Sequence, residues 1–385
     1  MISAKTSSKI LDLKTEFPLR DDLIYLNHAM ASPWPKRAVE ALKVFADENL
    51  RQGAFGFQNW GQMDEELRQR LRWLLNAESA DDITLVKNTT EGLSAVALGL
   101  DWEPGRNLVL PLQEFPSNRF PWDRLRAQGV TTRKVDILAA KDPEQALMDA
   151  CDARTRLLTV SSVHFGSGLR MDLERLGRFC RKRGILFCVD AIQSLGALPL
   201  DVQAIQADFV VAGSQKWLLS PEGVAVFWSR SEVRERLRPL VYGWRSARER
   251  FDYEIQDWSL DASGRRFEGG TLNTAGMYAL NASLSLFEDI GMEHVAQAVL
   301  ERTTYLIERL SRRDGLEWIS DLRPERRSGI SVFRLRGADN DALFDYLGKH
   351  GVFCAKRSGG IRFSPHFYTP MERLDEAIQQ VLEFS

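Results

Sequence analysis

The sequence predicts an α/β protein with a mostly parallel central sheet, flanking helices and a smaller C-terminal α+β domain. Three observations carry that prediction. Between Ile83 and Ser229, short β-rich runs alternate with amphipathic helical stretches, the pattern of parallel strands joined by helical crossovers. Most of those runs are apolar throughout, as strands covered on both faces are. After about Gly291 helices again alternate with short strands, and 385 residues suffice for two domains of unequal size.

In chain order, residues 1–20 read as a polar N-terminal arm, 21–286 as the large domain and 287–385 as the small one. The strand candidates are "DITLV", "NLVLPL", "TTRKVDI", "TRLLTVSSV", "ILFCVDAI", "DFVVAGS" and "GVAVFWS", with helices expected at "TEGLSAVALGL", "DPEQALMDAC" and "DLERLGRFCRKRG". Leu240–Thr274 is rich in Gly, Arg and aromatics without a clear period and predicts a long connection carrying functional loops. Helical patterning returns over Ala275–Arg313, followed by the strand candidates "GISVFRL", "GVFCA" and "GIRFS".

The bulk composition excludes several classes of function. With 44% hydrophobic and 27% charged residues and a formal net charge of −2, nothing favours nucleic acid or an acidic membrane surface as partner. No apolar run approaches the roughly 20 residues that cross a bilayer. The opening "MISAKTSSKILDLKTEFPLRDD" lacks the apolar core of a secretory leader. Four cysteines (Cys151, Cys180, Cys188, Cys354) lie scattered without metal-ligand spacing. Together these features predict a reduced, cytoplasmic chain with no metal site.

Chemistry concentrates where strands should end. Asp190 closes the apolar run "ILFCVD", Gln193 follows it, and Lys216 follows "DFVVAGS" in the stretch "AGSQKW". A carboxylate in such a run is costly unless paired or hydrogen-bonded. A lysine and an aspartate at neighbouring strand ends suit pyridoxal phosphate: the amine condenses with its aldehyde, and the carboxylate keeps its ring nitrogen protonated. A Lys216–Asp190 salt bridge, or Asp190 as a helix cap, satisfies the same residues. "VKNTTEGL" offers a phosphate cradle, with Thr89 and Thr90 at a helix N-terminus; an ordinary N-cap reads the same way. A nucleotide-dependent dehydrogenase would share the sheet, but no G-x-G-x-x-G turn follows the first strand. A non-catalytic scaffold would have no use for this lysine, aspartate and arginine set.

Read in order, "LVKNTTEGLSAVALGL", "QEFPSNRFPW", "VSSVHFGSGLRMDL", "VDAIQSLGALPLDV", "GSQKWLLSPEG", "EGGTLNTAG" and "GGIRFSPHFYT" resemble the class V aminotransferase family. That family includes cysteine desulfurases, selenocysteine lyases, kynureninases and isopenicillin N epimerase-like enzymes. The resemblance runs from about Tyr25 to the C-terminus and implies a fold-type I, pyridoxal 5'-phosphate-dependent homodimer with shared active sites. Carried over by position, Lys216 matches the lysine that bonds the cofactor, Asp190 the partner of its ring nitrogen and Gln193 the donor to its phenolic oxygen. Thr89, Thr90, Ser214 and Gln215 match phosphate contacts, and Thr271 a phosphate ligand lent by the second subunit. Phe115 falls where an aromatic stacks on the ring, and Arg362 matches the arginine that pairs with the substrate α-carboxylate.

Two histidines depart from the family pattern. His164 could touch the cofactor or shuttle protons, and His28, beside Asn27, lies in the segment that lines the mouth of the site in relatives. The desulfurase loop that bears a nucleophilic cysteine has no counterpart, because only "SGGI" separates Arg357 from Arg362. Cys354, in the strand-like "GVFCA", reads as core. The expected activity is therefore on an α-amino acid, with transamination first and a carbon–sulfur lyase or an epimerase as alternatives.

Overall fold

The computed structural model describes residues 12–384, so most of the arm expected over 1–20 lies outside the described residues. Its last part is packed down: the short helix Leu13–Glu16 leads to Phe17, whose ring stacks on Tyr368. Strand β1 (Ile24–Tyr25) comes next. The large sheet is built from β2 (Ile83–Val86), β3 (Asn107–Pro111), β4 (Thr131–Val135), β5 (Thr155–Ser161), β6 (Leu186–Asp190), β7 (Phe209–Gly213) and β8 (Ala225–Ser229). Each falls inside the run that predicts it.

The strand order is β2-β8-β7-β6-β5-β3-β4. Only β8 runs against the rest, pairing antiparallel with both β2 and β7. Every residue of β2, β3, β6, β7 and β8 is buried, which is why their sequences are predominantly apolar rather than alternating. Strand β4 is half exposed and carries Arg133 and Lys134, the charged dress of an edge strand. The helix Thr89–Gly99 packs against β7 and β8 at Gly92, where an added Cβ would stand 2.6 Å from a methyl of Val211. Only glycine allows that approach.

The small domain holds β9 (Leu316–Trp318), β10 (Ser331–Leu335), β11 (Val352–Phe353), β12 (Ala355–Arg357) and β13 (Gly360–Phe363). Its sheet runs β12-β13-β10-β9, while β11 pairs with β1 in parallel. The run "GVFCA" is thus two strands, with Cys354 at the change of partner. The boundary expected at 286/287 falls inside the helix Thr274–Ile290, which ends at Gly291, with φ 84°, before the helix Met292–Leu310. Val295 and Val299 share a core with the large sheet, whereas Ile24 and Leu26 join the small domain's core. A helical period shows which face is apolar, not which core receives it. Among the described residues no helix is long and apolar enough to cross a membrane.

Candidate active site

From β3 the chain runs outward to β4, then returns to β5 on the other side of β3 and continues through β6, β7 and β8. Such a reversal opens a crevice beyond the carboxyl ends of the strands. A cavity of about 280 Å³ lies there, lined by Thr89 and Thr90 after β2, Phe115 after β3, Asp190 and Gln193 after β6, and Lys216 after β7. Gln215 and Arg362 complete the sequence-predicted lining.

Lys216 is carried by a heavily braced segment. Ser32 Oγ donates to its carbonyl at 2.5 Å, the Ser32 N–H donates to the Gln215 carbonyl at 2.8 Å, and the Trp217 indole N–H donates to Gln193 Oε1 at 3.0 Å. Burial pushes the Lys216 amine down to about 8; Asp190 opposes that shift, while Arg362 and Arg357 add to it. The Asp190 carboxyl is pushed up to about 6 by its own burial, against the Ile192 N–H that donates to it at 3.0 Å and the nearby Lys216. The alternative of a Lys216–Asp190 salt bridge is not what forms: Asp190 takes a backbone N–H, and the amine stands over the Phe115 ring, 5.7 Å from its centroid. Amine and carboxyl, each shifted by burial toward its neutral form, face one cavity.

The candidate phosphate cradle lies at the start of the helix Thr89–Gly99. Asn88 caps the helix by accepting from the Glu91 N–H at 2.9 Å, while the first N–H groups of the helix have no intrahelical partner. Thr89 accepts the Gly213 N–H at 2.9 Å and so ties the helix to the end of β7. The Thr90 hydroxyl is 2.8 Å from that of Ser117. Hydroxyls and free N–H groups at a helix N-terminus fit a phosphate; an aldehyde partner, a ring-nitrogen partner and an aromatic lid fit the rest of pyridoxal phosphate. Gln193 donates to the Ala29 carbonyl at 3.0 Å and keeps a second amide hydrogen.

Other predicted residues stand back from the cavity. Ser214 turns its hydroxyl to the carbonyls of Pro221 and Val224, at 2.8 and 2.7 Å. His164 Nδ1 meets the Ser167 hydroxyl at 2.8 Å and Nε2 the Gln113 carbonyl at 3.0 Å, so both ring nitrogens hold protein. His28 is fully buried between the Ser364 carbonyl and the Tyr368 hydroxyl, and burial pushes its pKa down to about 3. Neither imidazole lines the cavity; both brace its walls. Asn27 touches the site through Arg362, accepting from Nη2 at 3.1 Å. Thr271 lines a different hollow beside Lys87 and Glu91.

Sequence reasoning missed Glu114. Its carboxylate accepts from the backbone N–H and hydroxyl of Ser161, at 2.6 and 2.5 Å, and Ser161 is in register with Asp190. Burial pushes Glu114 up to about 7; the Ser161 hydroxyl opposes this and the Asp190 charge adds to it. A folded-state pKa above the unfolded value contributes stability that is complete below about pH 4.5 and lost as pH rises through about 7. This contribution to the unfolding midpoint of the cofactor-free protein is therefore expected to fall across the window, against a rise from the buried His28, whose pKa is pushed down to about 3. Glu114→Gln should remove it, so that the variant's midpoint falls less, or rises more, across the window than the parent's; profiles that run parallel would refute the assignment.

Residues 24–376 match the class-V aminotransferase family. A probable cysteine desulfurase of Methanothermobacter thermautotrophicus is 31% identical, the match covering 96% of this chain and 97% of that protein. An uncharacterized aminotransferase of Bacillus subtilis is 27% identical over 89% of each. Among solved structures, the cysteine desulfurase of Thermococcus onnurineus NA1 superposes with a TM-score of 0.86 at 24% identity, covering 97% of both chains. The cystine C–S lyase C-DES does so with a TM-score of 0.89 at 24% identity, covering 96% of this chain and all of the other. The family match spans the large sheet, the connection after β8 and the C-terminal hairpin alike, so this chain belongs to the class-V aminotransferase family, with the fold-type I architecture and pyridoxal 5'-phosphate as its cofactor.

Proposed function

We propose that the protein is an aminotransferase acting on an α-amino acid as a homodimer in a reducing cytoplasm. The observation that carries this reading is the convergence of Lys216, Asp190 and Arg362 on one cavity that no cysteine lines. When bound, pyridoxal phosphate supplies an aldehyde for the substrate amino group and a ring that accepts electrons released at the α-carbon. Arg362 grips the substrate carboxylate; the neutral amine of Lys216 takes the α-proton and returns it elsewhere; Asp190 holds a proton at the ring nitrogen. Thr89 and Thr90 would anchor the phosphate, Gln193 would offer its free amide hydrogen to the phenolic oxygen, and Phe115 would cover the ring.

The dimer is supported by Thr271, which stands outside this chain's own cavity, and by exposed apolar side chains at Leu50, Phe55, Phe251 and Tyr253. Large apolar side chains exposed in this number suit an interface between copies.

The names of the relatives favour a second reading, a carbon–sulfur lyase. A desulfurase that carries sulfur needs an accessible thiolate. Here all four cysteines are buried, and burial pushes Cys354 up to about 12. The tight turn Ser358–Gly359 leaves no loop to bear another thiol. Cys354→Ser is expected to keep most activity, and incubation with cysteine should leave no persulfide on the protein. With an amino acid and a 2-oxo acid supplied together, mass spectrometry should find the amino group on the second carbon skeleton. A Cys354 persulfide, with activity lost in the serine variant, would restore the desulfurase reading.

A further inference from the structure

We propose that the substrate is an α-amino acid with a second carboxylate on a short side chain, a dicarboxylic amino acid, and that Arg357 holds this second anion. The inference rests on the reading of the cavity as an amino-acid site. Its basis is the register of the β12–β13 hairpin. Ala355 stands opposite Arg362 and Arg357 opposite Gly360. Side chains two apart on a strand share a face, so Arg357 projects on the same face as Arg362. They are diagonal neighbours, with roots about 7–8 Å apart, a spacing suited to the two ends of a four- or five-carbon diacid. Lys356, between them in sequence, goes to the opposite face and pairs with Asp341 at 2.8 Å.

Charge points the same way. Both guanidiniums line the cavity, and the one carboxylate among its described lining residues is Asp190, which the ring nitrogen would engage. Arg362 is 2% exposed, yet its described partners are neutral: the Phe165 carbonyl at 3.0 Å and Asn27 Oδ1 at 3.1 Å, while Nε has none. A buried guanidinium without a counter-ion is costly unless a ligand supplies one. Arg357 donates only to the carbonyl of Lys356, at 2.7 Å, and its charge is felt at both Lys216 and Arg362. Arg357 is exposed at the rim of the cavity, where water hydrates its guanidinium until a second anion takes that place.

The hairpin also holds Arg357 in place. Ser358 and Gly359 both adopt positive φ, 52° and 78°, the backbone of a two-residue turn that fixes register. The Ser358 hydroxyl lies 2.7 Å from where a Cβ on Gly166 would stand, so the turn rests on the loop that carries Phe165. A hairpin backbone fixed in advance lowers the cost of ordering the Arg357 side chain on its anion.

Compounds lacking an α-proton test this by binding alone. The holoenzyme is titrated with 2-methylaspartate, 2-methylglutamate and 2-methylalanine, and the change in cofactor absorbance is read. The parent is expected to bind at least one diacid on the order of tenfold or more tighter than 2-methylalanine. Arg357→Gln should erase that preference while leaving the 2-methylalanine constant and cofactor affinity unchanged. Arg357→Asp should turn the preference against both diacids. Equal binding of all three by the parent overturns the proposal, as does an equal loss for 2-methylalanine in Arg357→Gln. Weakened cofactor binding in that variant would assign Arg357 to the phosphate instead. A spectrum unmoved by any compound would overturn the amino-acid reading itself, and this inference with it.

Discussion

Lys216→Ala is expected to abolish turnover and the covalent hold on the cofactor together. The amine sits at the end of a fully buried strand, and burial holds it down to about 8, so at neutral pH a useful fraction is uncharged and nucleophilic. Removing it should not unfold the protein. The braces on this segment run through the backbone carbonyls of Gln215 and Lys216 and through the Trp217 indole, not through the amine. Borohydride treatment of the parent should leave the cofactor on the Lys216 peptide, and in the variant on none. Lys216→Arg keeps the charge without the nucleophile and should be as inactive. In the parent, covalent capture of added cofactor should quicken as pH rises through about 8, because the neutral amine is the attacking form. A reduced cofactor mapped to another lysine, or turnover surviving in both variants, would remove Lys216 from its role.

Legibility from sequence followed the energetics of burial. The runs "LFCVD" and "FVVAG" are apolar to the end, so a charge at or just after that end conflicts with its surroundings, and such conflicts mark functional positions. That is how Asp190 and Lys216 stood out. The histidines misled because sequence shows an imidazole's presence and not its partners. His28 is satisfied by Ser364 and Tyr368 from the far end of the chain, and His164 by Gln113 and Ser167. Ser214 illustrates the same limit: its place in a motif fixed its Cα, while its hydroxyl turned to carbonyls behind the strand. Glu114 was hidden beside a more conspicuous Phe115, although a carboxylate at a strand end is the same signal as Asp190. Arg357 marked a spacer length in the sequence, and only the hairpin register shows which way it faces. The helices Lys36–Gln52 and Phe57–Leu75 and the short β9 were not predicted. The expected domain boundary at 286/287 lies within the helix Thr274–Ile290, whose length a helical period does not mark.

Asp190→Asn is expected to leave folding and cofactor binding largely intact and to slow turnover by several orders of magnitude. The substitution keeps shape and an oxygen that accepts the Ile192 N–H, and an amide is cheaper to bury than a carboxylate. What it loses is charge. Beside the ring nitrogen, an ionised Asp190 would raise the pKa of that nitrogen, and each unit lost there corresponds to about 1.4 kcal/mol between protonation states. Three units lost would amount to about 4 kcal/mol, on the order of a thousandfold in rate if carried fully into the barrier. Burial decides how strongly this acts: Asp190 is 1% exposed, so little solvent screens it from the ring. The loss should appear in kcat, because the substrate carboxylate still has Arg362, and KM should move far less. Asp190→Glu should recover part of the rate, limited by a longer side chain in a closed site. Near-normal turnover in Asp190→Asn would show that the ring needs no charged partner here. Equal losses in kcat and in cofactor affinity would make Asp190 an anchor rather than an electronic partner.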